Sequence, residues 1–191
     1  MKNIIAICGK FGSGKSYVAN YLSEQTDIQV FHMDKYIIEK LMRFPYRRIA
    51  TKRLKMSPCL SHPHLLSNMK ELDRLLTRFE KKVVLGWGNK KIKKLSKLRK
   101  PVIIDFFGLP LSQHFPTFKM RILIESNEDL RKEKLVERNE FTLQQVNQIN
   151  KIADDIISYD KGKFDYVLEN NYDSMPIKTE EIKEKLLAFY S

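Results

Sequence analysis

Short apolar runs recur along the chain, separated by stretches whose apolar residues return at helical spacing. Ile4-Ile5-Ala6-Ile7-Cys8 has no polar position to face water, the pattern of a strand covered on both sides. A helix-compatible stretch, Tyr17-Val18-Ala19-Asn20-Tyr21-Leu22, follows it, and Ile28-Gln29-Val30-Phe31 is a second short strand candidate. Three more runs read as strands: Val102-Ile103-Ile104 ending in Asp105, Lys119 to Glu125, and Phe164 to Leu168. Residues 35 to about 100 are helical in pattern, punctuated by Pro45, Pro58 and Pro63, with Pro101 at the exit. Ser126 with Asp129 predicts a capping box that opens a helix to about Arg138, and Thr142 with Gln145 repeats the device. Thr179 starts a C-terminal helix carrying Ile182, Leu186 and Phe189. Strands alternating with helices predict an α/β fold: a five-stranded parallel sheet with helices on both faces, hence three layers. The core is expected at 1–34, 101–125 and 161–191, with a helical insertion over 35–100 and a lid over 126–160.

Between the first strand and the first helix stands Gly9-Lys10-Phe11-Gly12-Ser13-Gly14-Lys15-Ser16, which fills the template G-x-x-x-x-G-K-[ST]. Its glycines let the backbone turn tightly and bring N–H groups against phosphate oxygens. Lys15 is placed to reach the β- and γ-phosphates, Ser16 to offer its hydroxyl to Mg²⁺, and the helix N-terminus adds a favourable field for anions. The motif implies a P-loop NTPase fold and a nucleoside-triphosphate site built from Gly9, Lys10, Phe11, Gly12, Ser13, Gly14, Lys15, Ser16 and Tyr17.

Charge changes the picture less than it first suggests. The formal net charge of +12 over 191 residues suits anionic partners, and a lysine-rich composition alone produces the same surplus. Lys90 to Lys100 carries seven basic residues in eleven, with Ile92, Leu95 and Leu98 at every third position. That predicts an amphipathic helix with a lysine-rich face, either solvated, guiding an anionic substrate or touching RNA. No nucleic-acid motif is present. Two cysteines make no disulfide framework; Cys8 reads as a small buried hydrophobe. His62-Pro63-His64 with Cys59 matches no zinc spacing. With no signal-peptide core and no transmembrane span, a reduced, cytoplasmic enzyme is expected.

Phosphoryl transfer needs an acceptor hydroxyl oriented as well as phosphates held. Asp34 follows Lys15 at a distance that allows a helix and a return strand beside the first, so its carboxylate is a candidate proton acceptor; as the residue before a helix it equally suits an N-cap. Asp105 ends its apolar strand as a Walker B aspartate does and is a candidate Mg²⁺ partner; a strand-end carboxylate also caps turns. The run Asp105-Phe106-Phe107-Gly108 matches the D-x-x-G of GTP-hydrolysing switches, but no N-K-x-D guanine signature follows it. Arg131, Lys134 and Arg138 share one face of the helix after Ser126, and Arg138, at its end, is the candidate lid cation.

Taken in order, these stretches resemble the dephospho-coenzyme A kinase family. Ile4 to Asn20 looks like its strand and P-loop, and Val30-Phe31-His32-Met33-Asp34 is similar to its hydrophobic-D-x-D, with Asp34 on the second aspartate. Pro101 to Leu111 resembles its strand with a following P-L, and Ile122 to Thr142 its nucleotide strand and lid helix, with Arg138 on the lid arginine. Asp165 to Asn171 is similar to its D-y-V-I-x-N. The resemblance implies ATP as phosphoryl donor, Mg²⁺ as cofactor and dephospho-coenzyme A as the small-molecule partner. It also implies Asp34, Lys15 and Arg138 as catalytic residues, Asn171 at the nucleotide, and Ser16 and Asp105 at the metal. Departures fall mostly on the acceptor side: His32 replaces the first aspartate, and no H-P pair stands near Val84-Leu85. Tyr172 occupies the place of a glycine. Two other readings keep the same P-loop: a kinase for a nucleoside or nucleotide, and a nucleotide-binding protein without turnover.

Overall fold

The hydrophobic runs become five parallel strands: β1 (Ile4–Gly9), β2 (Gln29–His32), β3 (Val102–Asp105), β4 (Met120–Glu125) and β5 (Tyr166–Glu169). The computed structural model describes residues 1–41, 78–137, 142–144, 146–147, 157–174, 176 and 178–190. Within these, five helices are α1 (Lys15–Thr26), α2 (Met33–Leu41), α3 (Arg78–Leu95), α4 (Glu128–Glu137) and α5 (Lys178–Tyr190). Strand order is β2-β3-β1-β4-β5, so the chain passes over β3 on its way from β1 to β2 and over β1 on its way from β3 to β4. Parallel neighbours require such crossovers, which is why helices cover both faces. The expected five-stranded parallel sheet in three layers is the architecture found.

The alternation of side chains along β1 assigns the layers. Ile4, Ala6 and Cys8 join Val102, Ile104 and Leu123 on one face, where Met33 and Ile37 of α2 and Ile92 and Leu95 of α3 cover them. Ile5 and Ile7 join Ile103, Ile122 and Ile124 on the other, beneath Val18, Ala19 and Leu22 of α1 and Ile182 and Leu186 of α5. Every residue of β1 is buried, and each buried isoleucine contributes about 1.5–3 kcal/mol relative to exposure. Both crossover layers thus converge on one strand, whose end carries the P-loop.

Three expectations are corrected. β2 does not return beside β1; it pairs with β3, in register Gln29↔Val102 to His32↔Asp105. That register sets His32 directly opposite Asp105. The basic helix does not run to Lys100: α3 ends at Leu95, because Asn3 Nδ2 takes the carbonyls of Leu95, Leu98 and Lys100 at 3.2, 3.0 and 3.3 Å. Ile92 and Leu95 are buried as their spacing implied, and Leu98 is exposed. The cap of α4 is Asn127, not Ser126: Asn127 Oδ1 accepts from the N–H groups of Asp129 and Leu130 at 3.0 and 3.1 Å. Cys59, His62, Pro63, His64, Arg138 and Gln145 lie outside the described residues, as do Pro45 and Pro58. Among the described residues no helix is long and apolar enough to cross a membrane.

Candidate active site

β1 delivers Gly9 to the C-terminal edge of the sheet, and the chain then wraps through residues 10–14 into α1. Glycine is required here by contact as well as by conformation. Gly12 and Gly14 have φ of +78° and +90°, and a Cβ on Gly14 would lie 2.1 Å from Asn170 Nδ2. A Cβ on Gly12 would meet the Leu135 side chain at 2.8 Å. Gly14 is the N-cap residue of α1, with no side-chain cap on the helix, so the first-turn amides are left to an anion.

Lys15, Ser16, Asp105, His32 and Asp34 gather at this edge. Lys15 is buried and its Nζ donates to Lys10 O at 3.0 Å across the mouth of the loop. Ser16 Oγ donates to Asp105 Oδ2 at 2.6 Å, and His32 Nδ1 meets the same oxygen at 3.1 Å. Burial raises the Asp105 carboxyl pKa, but the hydrogen bond from His32, the charge of Lys15 and the bond from Ser16 outweigh it, and the net position is below the usual range. The His32 imidazole is raised, chiefly by its bond to Asp105. Asp34 occupies the first turn of α2 rather than the cap before it. Burial pushes its pKa up to about 7; Lys15 and His32 pull it down and Asp105 pushes it up, so all four charges share one field.

The oxygens present fit a hard divalent cation. Asp105 Oδ1 is buried with no hydrogen-bond partner among the described residues, while Oδ2 already lies against the Ser16 hydroxyl. A hydroxyl and a carboxylate beside a phosphate loop are a donor set suited to Mg²⁺. No cluster of three or more His, Cys, Asp and Glu residues that could hold a metal occurs among the described residues.

A cavity of about 490 Å³ adjoins the loop, lined in part by Lys10, Ser13, Glu125, Arg131, Tyr159 and Asn171. Asn171 therefore lines the cavity, while its neighbour Asn170 makes the contact with the loop: Asn170 Nδ2 donates to Ser13 O at 2.9 Å. Tyr17 is 59% exposed, so its place in the first turn offers a backbone amide rather than a ring. Of the cationic face expected on α4, Arg131 turns inward, is buried, and donates from Nη1 to Phe11 O at 2.9 Å. Lys134 pairs with Glu137 at 2.9 Å. Arg131 was legible in one respect: it precedes the buried Leu135 by one helical turn, so both face the core. Between α2, α3 and the β3 exit a small cavity of about 20 Å³ is bounded in part by Met33, Val84, Gly88, Ile92, Phe106 and Leu109.

A five-stranded parallel sheet of order 2-3-1-4-5 with a P-loop after β1 and aspartates after β2 and β3 defines a P-loop kinase fold. Solved structures share it over nearly the whole chain. TT1252 from Thermus thermophilus is 19% identical, with a TM-score of 0.57 over 98% of this chain and 97% of that one. Shikimate kinase from Acinetobacter baumannii is 14% identical, with a TM-score of 0.52 over 97% and 90%. A gluconokinase from Sinorhizobium meliloti is 15% identical, with a TM-score of 0.50 over 98% and 91%. No protein-family model matches the chain, and no curated protein is similar to it in sequence.

Proposed function

We propose that this protein is an ATP-dependent kinase acting on an alcohol of a small molecule, and that the alcohol is the ribose 3′-hydroxyl of dephospho-coenzyme A. The observation that carries the kinase reading is the shared field of Lys15, Asp105, His32 and Asp34 at the mouth of the P-loop, with Asp34 raised to about 7. A carboxylate poised near neutrality is suited to accept a hydroxyl proton, since its proton affinity matches the working pH. In this reading Asp34 takes the acceptor's proton as the acceptor oxygen bonds to the γ-phosphorus. The bond from that phosphorus to the β–γ bridging oxygen breaks, and ADP leaves with the electron pair. Lys15 and Arg138 stabilise the charge on the moving group, and the loop amides from Gly9 to Tyr17, with Asn171 beside them, hold the nucleotide. Ser16 and Asp105 would hold Mg²⁺, which when bound neutralises phosphate charge. Residues 35–100 would form the acceptor region and 126–160 the lid.

The coenzyme A precursor is supported by the resemblance in the P-loop, the residues around Asp34, the β3 exit and the β5 end. A second reading, a different alcohol acceptor, is favoured by His32 at the family's first aspartate and by the absence of an H-P pair near Val84-Leu85. Kinases of the same fold with other named acceptors, shikimate kinase among them, make it concrete. The test is ADP release from purified protein with Mg-ATP and dephospho-coenzyme A, beside a panel of nucleosides, nucleoside monophosphates, shikimate and gluconate. Turnover only with dephospho-coenzyme A is the expected result. Turnover with another member keeps the kinase and discards the substrate, and ATP binding with silence throughout overturns both.

A further inference from the structure

Four consecutive carbonyls of the P-loop are each held by a side chain. Lys10 O accepts from Lys15 Nζ at 3.0 Å, Phe11 O from Arg131 Nη1 at 2.9 Å, Gly12 O from Tyr172 Oη at 2.6 Å and Ser13 O from Asn170 Nδ2 at 2.9 Å. Three of these donors come from outside the loop, from α4 and from the turn after β5. The amide of the Gly12–Ser13 peptide turns back to Lys10 O at 3.1 Å and closes the loop on itself. Holding the other carbonyls away from the phosphate position turns the amides of their peptides towards it, the arrangement that makes a backbone anion nest. The glycines that permit this shape do not enforce it, because they also populate many others. Enforcement has to come from side chains.

Tyr172 is the least expected of the three. Its φ of +66° lies in the left-handed region that non-glycine residues rarely occupy. Strain of this kind persists where surrounding contacts over-determine it. Here two bonds do so: Tyr172 N donates to Asn170 Oδ1 at 3.0 Å, and the hydroxyl reaches Gly12 O. A glycine would adopt the same backbone freely but would have no hydroxyl to reach the loop. Asn170 is the hub, accepting from the Tyr172 backbone and donating to Ser13, with its Nδ2 in the space a Cβ on Gly14 would fill.

We infer that Tyr172, seated by Asn170 and acting next to Arg131 on the neighbouring carbonyl, is a positioning residue that holds the P-loop in its phosphate-ready shape without touching the nucleotide. The inference rests on reading the P-loop as a nucleotide site, and its test separates the two. Tyr172→Phe removes only the hydroxyl; Tyr172→Gly removes it together with the backbone strain. Hydrogen exchange of the unliganded protein reads the loop directly: both variants are expected to exchange amides 10–14 faster, with α3 unchanged. Titration then reads the consequence. ADP is expected to bind about three- to tenfold more weakly to either variant, the loss of one neutral hydrogen bond. AMP, with no β-phosphate to lie in the nest, is expected to change less than twofold. Tyr172→Gly melts no lower than Tyr172→Phe if the residue serves the loop rather than the fold. Wild-type exchange and ADP affinity in both variants overturns the inference and leaves the kinase reading standing. Equal weakening of ADP and AMP also overturns it. A wild-type protein that binds no ADP overturns the kinase reading, and the exchange arm alone then decides the role of Tyr172.

Discussion

Glycine is used in opposite ways on the two sides of the cleft. On the nucleotide side, Gly12 and Gly14 sit in left-handed backbone, and any side chain there would collide with Leu135 or Asn170. On the side proposed for the acceptor, Gly86 and Gly88 lie in the middle of α3, where a Cβ would meet nothing within 4 Å among the described residues. The first pair is demanded by close packing. The second pair costs helix stability with no contact in the described structure to offset it. One side of the cleft is a built shape held by hydrogen bonds from three side chains of two other elements, α4 and the turn after β5. The other is apolar, bounded by Met33, Ile92, Phe106 and Leu109, with space left beside the helix.

The chemistry joining the two sides provides the largest effect. Asp34→Asn is expected to lower kcat by about 10²- to 10⁴-fold, the usual contribution of a positioned general base. Its ATP affinity, measured by titration with Mg-ATP, is expected to stay near the wild-type value. Turnover within a factor of about three of wild type would show that Asp34 takes no proton in the reaction. Gly14→Ala tests the rigid side. A Cβ there displaces Asn170, and an L residue pays about 1–2 kcal/mol in left-handed backbone before any clash. ADP is expected to bind at least about tenfold more weakly, by titration, and the melting temperature to fall. Unchanged affinity would remove the close packing of Asn170 on the loop from the account of the nest.

The rigid side was also the more legible in sequence, and the reason is physical. The P-loop is local: its glycines, lysine and serine lie within eight positions, and an apolar strand announces where it begins. The sheet was readable because β1 and β3 are buried along their whole length and so spell near-continuous apolar runs, while the less buried β2, β4 and β5 still carry short ones. What holds the loop was not readable, because Arg131, Asn170 and Tyr172 reach it across 120, 157 and 160 residues of chain. Spacing alone made Arg131 part of a cationic face; the fold buries it. The resemblance pointed to Asn171, and the bond to Ser13 comes from Asn170 one residue earlier. Strand order escaped the pattern for the same reason. Nothing local in Gln29–His32 says that it pairs with β3 and thereby brings His32 against Asp105.

The pH dependence follows from the same convergence of charges. Asp34 accepts a proton only as the carboxylate, and burial, partly offset by Lys15 and His32 and reinforced by Asp105, sets its pKa near 7. The rate at limiting acceptor is therefore expected to fall about tenfold per pH unit below 7 and to level off above it. Stability runs the other way. The folded pKa is raised from 3.8, so the fold favours the protonated acid; that contribution is fully present below about 4 and is lost as pH rises through about 7. With Asp34 in the proposed role, its protonation steadies the fold and silences the reaction. A rate that stays flat from pH 8 to pH 5.5 would show that no group with this pKa takes part.

The smallest effect sharpens the comparison most, because it repeats one substitution on the other side. Gly86→Ala places in the middle of α3 the same methyl that Gly14→Ala places in the P-loop. In a helix interior, alanine is favoured over glycine by about 1 kcal/mol, and no described atom lies within 4 Å of a Cβ at Gly86. For a chain of this size that is a rise of about 2–4 °C in melting temperature, read by calorimetry. ATP affinity is expected to be unchanged, since Gly86 lies on the acceptor side, away from every donor to the loop. The acceptor's KM distinguishes two reasons for the glycine. A raised KM with a raised melting temperature means that the open space beside α3 belongs to the substrate. An unchanged KM means that the glycine is tolerated there rather than used. A lower melting temperature would show that the middle of α3 is more closely packed than its open surroundings indicate.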